Sequence, residues 1–120
     1  MAIPLTKELL TTKAEELAEC ICENETQNKM NQIRKFYDDF VLLKAKADRV
    51  NEEQFEKTIL PRIYFSIAKI TYSVSRNYLT EKFKSKIVEW IEKIDNKSDF
   101  SNFMDFYQAT ICYAAYKSKK

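Results

Sequence analysis

Arg62, Ser66, Lys69, Ser73 and Arg76 recur at intervals of four, three, four and three residues. On a helix this spacing keeps three cations and two hydroxyls within a face of about 80°, along about 21 Å of axis. No carboxylate interrupts the row, although a solvated helix face gains i,i+4 support by interleaving Glu with Lys or Arg. Arg and Lys neutralise phosphates, and Ser hydroxyls hydrogen-bond phosphate or sugar oxygens, so the row suits a polyanion. Two other readings use the same residues: the cations pair with glutamates elsewhere in the chain, or they are simply solvated. A second row, Lys35, Asp39, Leu42, Lys46 and Arg49 with Arg34 beside it, carries a weaker signal because Asp39 interrupts it.

Catalytic groupings are poor. The 120 residues include no glycine and no histidine. A phosphate-cradling loop, a dinucleotide turn and a nucleophile elbow each need a glycine backbone, and Ser-His or Cys-His pairs need an imidazole. Asp38 and Asp39 are adjacent, so on a helix they point about 100° apart and form no acid–base dyad. Cys20 and Cys22 likewise point to different sides. With Cys112 as the third thiol, they are expected to be free and buried, with no metal site and no cofactor. Seven tyrosines and eight phenylalanines offer possible base-stacking platforms, but at helical spacing aromatics more often belong to the core.

The elements that must carry these residues are helices, since hairpins lean on the glycine turns this chain lacks. Periodicity predicts five. The first runs over about 6–23 on Leu10, Ala14, Leu17, Ala18 and Ile21. The second covers 29–47 on Ile33, Phe36, Tyr37, Phe40 and Leu43. Asn51 is a candidate N-cap for a third helix reaching Tyr78, with Gln54 completing a capping box. Pro61 either kinks this helix or restarts it. Thr80 caps a fourth, built on Phe83, Ile87, Trp90, Ile91 and Ile94. A polar turn over 95–99 then precedes a fifth on Phe103, Phe106, Tyr107, Thr110, Ile111 and Ala114, ending in a frayed basic tail at 117–120. The third helix has two apolar faces. Leu60, Ile63, Ile67, Ile70 and Val74 form one, and Phe65, Ala68 and Tyr72 the other, so it is expected at the centre of a bundle or in an oligomer interface.

Charge is segregated although the net is only +2. Residues 1–25 hold two lysines against six glutamates, and residues 26–50 hold six basic groups against three acidic ones. This pattern suggests different partners for different faces. No apolar run approaches the ~20 residues of a membrane span, and the first residues are unlike a signal peptide, so a cytoplasmic protein is expected.

Three segments together carry a family resemblance. They are Asn31-Gln32-Ile33-Arg34-Lys35-Phe36-Tyr37, then Tyr72-Ser73-Val74-Ser75-Arg76, then Phe103 through Tyr113. In order and spacing they resemble the small subunit of the type III-A CRISPR–Cas effector, the Csm complex, over about residues 28–116. The family's second segment has Ala-Gly before its arginine, where this chain has Val74-Ser75. The resemblance implies a non-catalytic, antiviral-defence subunit that stacks in several copies beside the other Csm subunits. It also implies contact with crRNA and target RNA through the sugar-phosphate backbone, without sequence reading. Arg34, Lys35 and Arg76 fall on the family's basic positions, whereas Arg62, Lys69, Lys46 and Arg49 come from helical spacing alone.

The expected architecture is therefore all-α, one helical domain over 1–120. The expected role is RNA binding within a self-associating ribonucleoprotein. The alternative is a helical protein–protein adaptor that binds no nucleic acid.

Overall fold

A computed structural model describes residues 2–24 and 26–118; every described element is helical. Helix α1 (Ala14–Cys22) follows a π-helical turn, Leu9–Lys13. Helix α2 is Met30–Ala47. A three-residue turn, Glu52–Gln54, and a π-helical turn, Phe55–Ile59, lead into α3 (Leu60–Ser75). Helices α4 (Glu81–Ile91) and α5 (Lys97–Ser118) complete the bundle.

The core forms around α5, which packs on α1 and α2, while α4 bridges α1 and α3. Phe100, Phe103, Phe106 and Tyr107 are almost wholly buried. Phe40 of α2 meets Phe103 edge to face, with ring centroids 5.3 Å apart at 80°, a geometry that brings a ring edge onto the partner's π-face. The Tyr107 hydroxyl donates to the Ile33 carbonyl at 2.7 Å, so this buried phenol spends its polar atom on holding α2. Burial, reinforced by the charge of Asp39, pushes that phenol far above its usual pKa.

Local signals placed most boundaries. The Asn51 side chain accepts from the Gln54 N–H at 2.8 Å, and Thr80 Oγ1 accepts from the Phe83 N–H at 3.1 Å, so both predicted caps are present. Pro61 marks a restart, the second of the two alternatives, because a new α-helical segment begins at Leu60. It lies in the first turn of α3, just after the wider π turn, where its missing N–H falls at a change of hydrogen-bond register.

Three expectations need correction. The turn at 95–99 is shorter than expected, because α5 already starts at Lys97. Asp99 is consequently in the first turn of α5 and fully buried. Its carboxylate accepts from the Ile3 and Asp95 N–H groups, both at 3.1 Å, and Asn102 donates to the Ile3 carbonyl at 2.8 Å. The chain start is thereby clasped onto α5. Second, Lys117 is no frayed residue: its ammonium lies 3.6 Å from Glu15 and 3.9 Å from Glu19. Lys119 and Lys120 lie outside the described residues. Third, of the thiols expected to be buried, Cys20 is, Cys22 is half-buried and Cys112 is exposed. Burial raises the Cys20 and Cys22 thiols above their ordinary pKa. Of the two apolar faces of α3, one is covered within the chain and the other is open, as the oligomer-interface alternative requires. Leu60, Ile63 and Ile70 are buried, with Ile67 and Val74 packed beside them, but Phe65 and Tyr72 stand in solvent.

Candidate nucleic-acid interface

Helices α2 and α3 run antiparallel, and their adjoining ends are pinned by Asn28. Its N–H donates to the Tyr78 carbonyl at 2.9 Å. Its side chain accepts from the Thr80 N–H at 2.9 Å and donates to Thr80 Oγ1 at 3.0 Å. Asn28 takes a positive φ of 55°, and Asn77 one of 64°. In a chain without glycine, asparagine supplies the left-handed residues, because its short polar side chain tolerates that region best after glycine. Asn77 ends α3 in a Schellman arrangement: Tyr78 N–H to Ser73 carbonyl at 3.0 Å, Asn77 N–H to Val74 carbonyl at 2.9 Å. At the other flank of α3, the Tyr64 hydroxyl donates to the Ile94 carbonyl, and burial, helped by Asp95, raises that phenol's pKa.

Between the pinned helices lies a groove of about 430 Å³, lined by Lys35 and Asp39 of α2 and by Phe65, Ala68, Lys69 and Tyr72 of α3, among others. The second family-matched cation and the middle cation of the α3 row thus share one depression. Lys69 Nζ sits 5.6 Å from the Phe65 ring centroid. One turn on, the Arg76 guanidinium sits 5.9 Å from the Tyr72 ring and donates to its hydroxyl at 3.2 Å. Cations and aromatic faces therefore alternate along α3 at 65, 69, 72 and 76.

The seven predicted cations divide. Lys35 and Lys69 line the groove and Arg76 extends it past Tyr72. Arg34, Lys46, Arg49 and Arg62 are exposed but are not among its lining residues. Among the described residues, none of the seven lies within salt-bridge distance of a carboxylate. The glutamates of the first helical segment pair instead with Lys13, Lys82 and Lys117. The internal-pairing reading of the α3 row therefore fails.

The two serines of that row lie at the edge of the core, and of the two only Ser73 lines the groove. Ser66 and Ser73 are 8% and 9% exposed, and Ser66 Oγ donates to the Ile63 carbonyl within its own helix. On a helical wheel they lie about 20–40° toward the buried stripe from Arg62, so the edge of the core cuts through the row. What occupies the outer flank instead is Phe65 and Tyr72, 52% and 61% exposed. Sequence reading placed them in an apolar patch. The only local hint of a different role was their interleaving with Lys69 and Arg76. Ser75, which stands where the related pattern has glycine, is exposed in the last turn of α3 with an ordinary helical backbone, so a side chain is tolerated there.

Among the described residues the chain is an all-helical bundle in which Lys35, Lys69 and Arg76 form no salt bridge and stand beside the exposed rings of Phe65 and Tyr72. The particular family is shown directly: the Csm2 Type III-A family profile matches residues 5–120, and the chain belongs to that family. It is therefore a small subunit of the type III-A CRISPR–Cas Csm complex. No curated protein and no solved structure matches it. Among the described residues, no helix is long and apolar enough to cross a membrane.

Proposed function

We propose that this subunit holds RNA in the Csm effector without catalysing its cleavage, several copies stacking along the complex. Lys35, Lys69 and Arg76 contact the sugar-phosphate backbone of crRNA and target RNA, with Arg34, Lys46, Arg49 and Arg62 adding exposed positive charge. The single helical domain over 1–120 acts in the cytoplasm, in antiviral defence. One observation supports the reading: among the described residues the groove cations have no carboxylate partner, while glutamates of the first segment pair with Lys13, Lys82 and Lys117. An unpaired, exposed cation costs little to bring onto a phosphate, because no existing ion pair must be broken.

The test is target-RNA binding by the assembled complex across a salt series, with Lys35→Glu and Lys69→Glu combined in this subunit. Loss of two phosphate contacts per copy lowers affinity and flattens the log K against log salt slope, by about 0.7 per contact on a single strand. Unchanged affinity and slope in a fully assembled complex would overturn the assignment and favour a protein adaptor.

A further inference from the structure

Backbone contact alone leaves Phe65 and Tyr72 unexplained. Each is more than half exposed, although both belong to a helix with a well-buried face of its own. They lie seven residues apart, hence on the same side of α3 and about 10 Å apart along its axis. Lys69 stands between them, Arg76 follows Tyr72, and Lys35 faces them across the groove. Asp39 is the acid among the lining residues. Cations that follow a backbone, set beside ring faces at helical intervals, are the parts from which single-strand binding surfaces are made. A duplex offers phosphates to such a surface but keeps its base faces stacked inside, so the rings would gain nothing from it.

Resting on the RNA-binding reading above, we propose that the α2–α3 groove takes unpaired, extended nucleotides, with bases stacking on Phe65 and Tyr72. The 10 Å interval is too long for neighbouring stacked bases and suits an extended strand in which the two rings serve separate, splayed bases. Arg76 holds the Tyr72 ring through its hydroxyl and leaves most of the ring exposed. Stacking is tolerant of sequence, since every base has a π-face, so the groove distinguishes unpaired from paired RNA without reading sequence.

The experiment uses the full chain with a fluorescent 2-aminopurine single-stranded oligoribonucleotide and a blunt duplex of equal length. The single strand is expected to bind at least tenfold tighter, with 2-aminopurine quenched on binding. Phe65→Leu combined with Tyr72→Leu is expected to abolish the quenching and cost about tenfold per ring in single-strand affinity, leaving duplex affinity and the salt slope unchanged. Both positions are exposed, so circular dichroism and melting temperature should not move. If the double variant binds both RNAs like the parent while Lys35→Glu with Lys69→Glu still loses them, stacking is overturned and the backbone reading stands. If neither variant loses RNA and the aromatic variant drops out of the assembled complex, both readings fall and the patch is a protein contact.

Discussion

Asn28 and Thr80, 52 residues apart, exchange two hydrogen bonds, one from the Thr80 backbone N–H to Asn28 Oδ1 and one from Asn28 Nδ2 to the Thr80 hydroxyl. The start of α2 is thereby fixed against the junction of α3 and α4. Asn28→Ala removes both bonds, leaves a part-buried N–H unpaired and puts a β-carbon with no compensating group in the left-handed region. We expect a loss of about 2–3 kcal/mol in urea unfolding.

Asn77 separates two contributions to the same junction. Asn77→Gly keeps the Schellman geometry and relieves the remaining strain, so stability should be unchanged or slightly higher. Asn77→Ala should cost about 1 kcal/mol, because the left-handed residue then has neither glycine's freedom nor a polar side chain. Thermal melts of the two variants side by side check the order. Equal melting temperatures would show that the positive φ carries no cost here.

The first residues depend on Asp99. Asp99→Ala leaves the Ile3 and Asp95 N–H groups without their acceptor and opens a hole beside Ile3, itself fully buried. The expected cost is about 2–4 kcal/mol. Limited proteolysis should cut the variant within the first residues well before the parent. A parent-like digestion pattern would mean that the Asn102 contact suffices to hold the segment.

Tyr107 makes the fold sensitive to alkali. Its phenol is raised above the ordinary value, so its contribution is fully present below about pH 10 and fades above it. The sign follows from proton uptake: above that pH the unfolded chain releases the proton while the folded chain keeps it, which favours unfolding. Tyr107→Phe should cost about 1 kcal/mol at neutral pH through the lost bond to Ile33. Above about pH 10 its stability should fall less steeply than the parent's, leaving Tyr64 as a smaller contributor of the same sign. Urea midpoints measured in steps from about pH 8 to 11 give both limbs.

Helix positions and core stripes were readable because they depend on neighbours three and four residues away. Ala14, Leu17, Ile21, Phe40, Ile63, Ile87 and Phe103 are buried as their periodicity requires, and the Asn51 and Thr80 caps act within a single turn. The candidate groove was half legible. Helical spacing identified Lys69 and Arg76 on α3 and Lys35 on α2, but a wheel measures angles within one helix and cannot say which sector another helix will cover. Hence Ser66 and Ser73 sit at the edge of the core and not out with the cations, and of the two alternatives for Phe65 and Tyr72 the bundle centre is excluded while an interface stays open. Asp99 and Lys117 were misplaced for a related reason, since their partners lie 96 residues and about 100 residues away along the chain.

The sequence by itself determined that this chain is helical and that its basic and acidic charge lie in different segments. Together with the motif order, it also pointed to the family. Each of these is a matter of composition or short-range spacing, and none needs a partner from elsewhere in the chain. Tertiary structure decided which charges were neutralised. The first-segment glutamates reach Lys82 and Lys117 once α1 packs against α4 and α5, and among the described residues Lys35 and Lys69 are left unpaired across one groove. These pairs depend on distances of a few ångströms between residues remote in the chain, and only the packed helices set those distances.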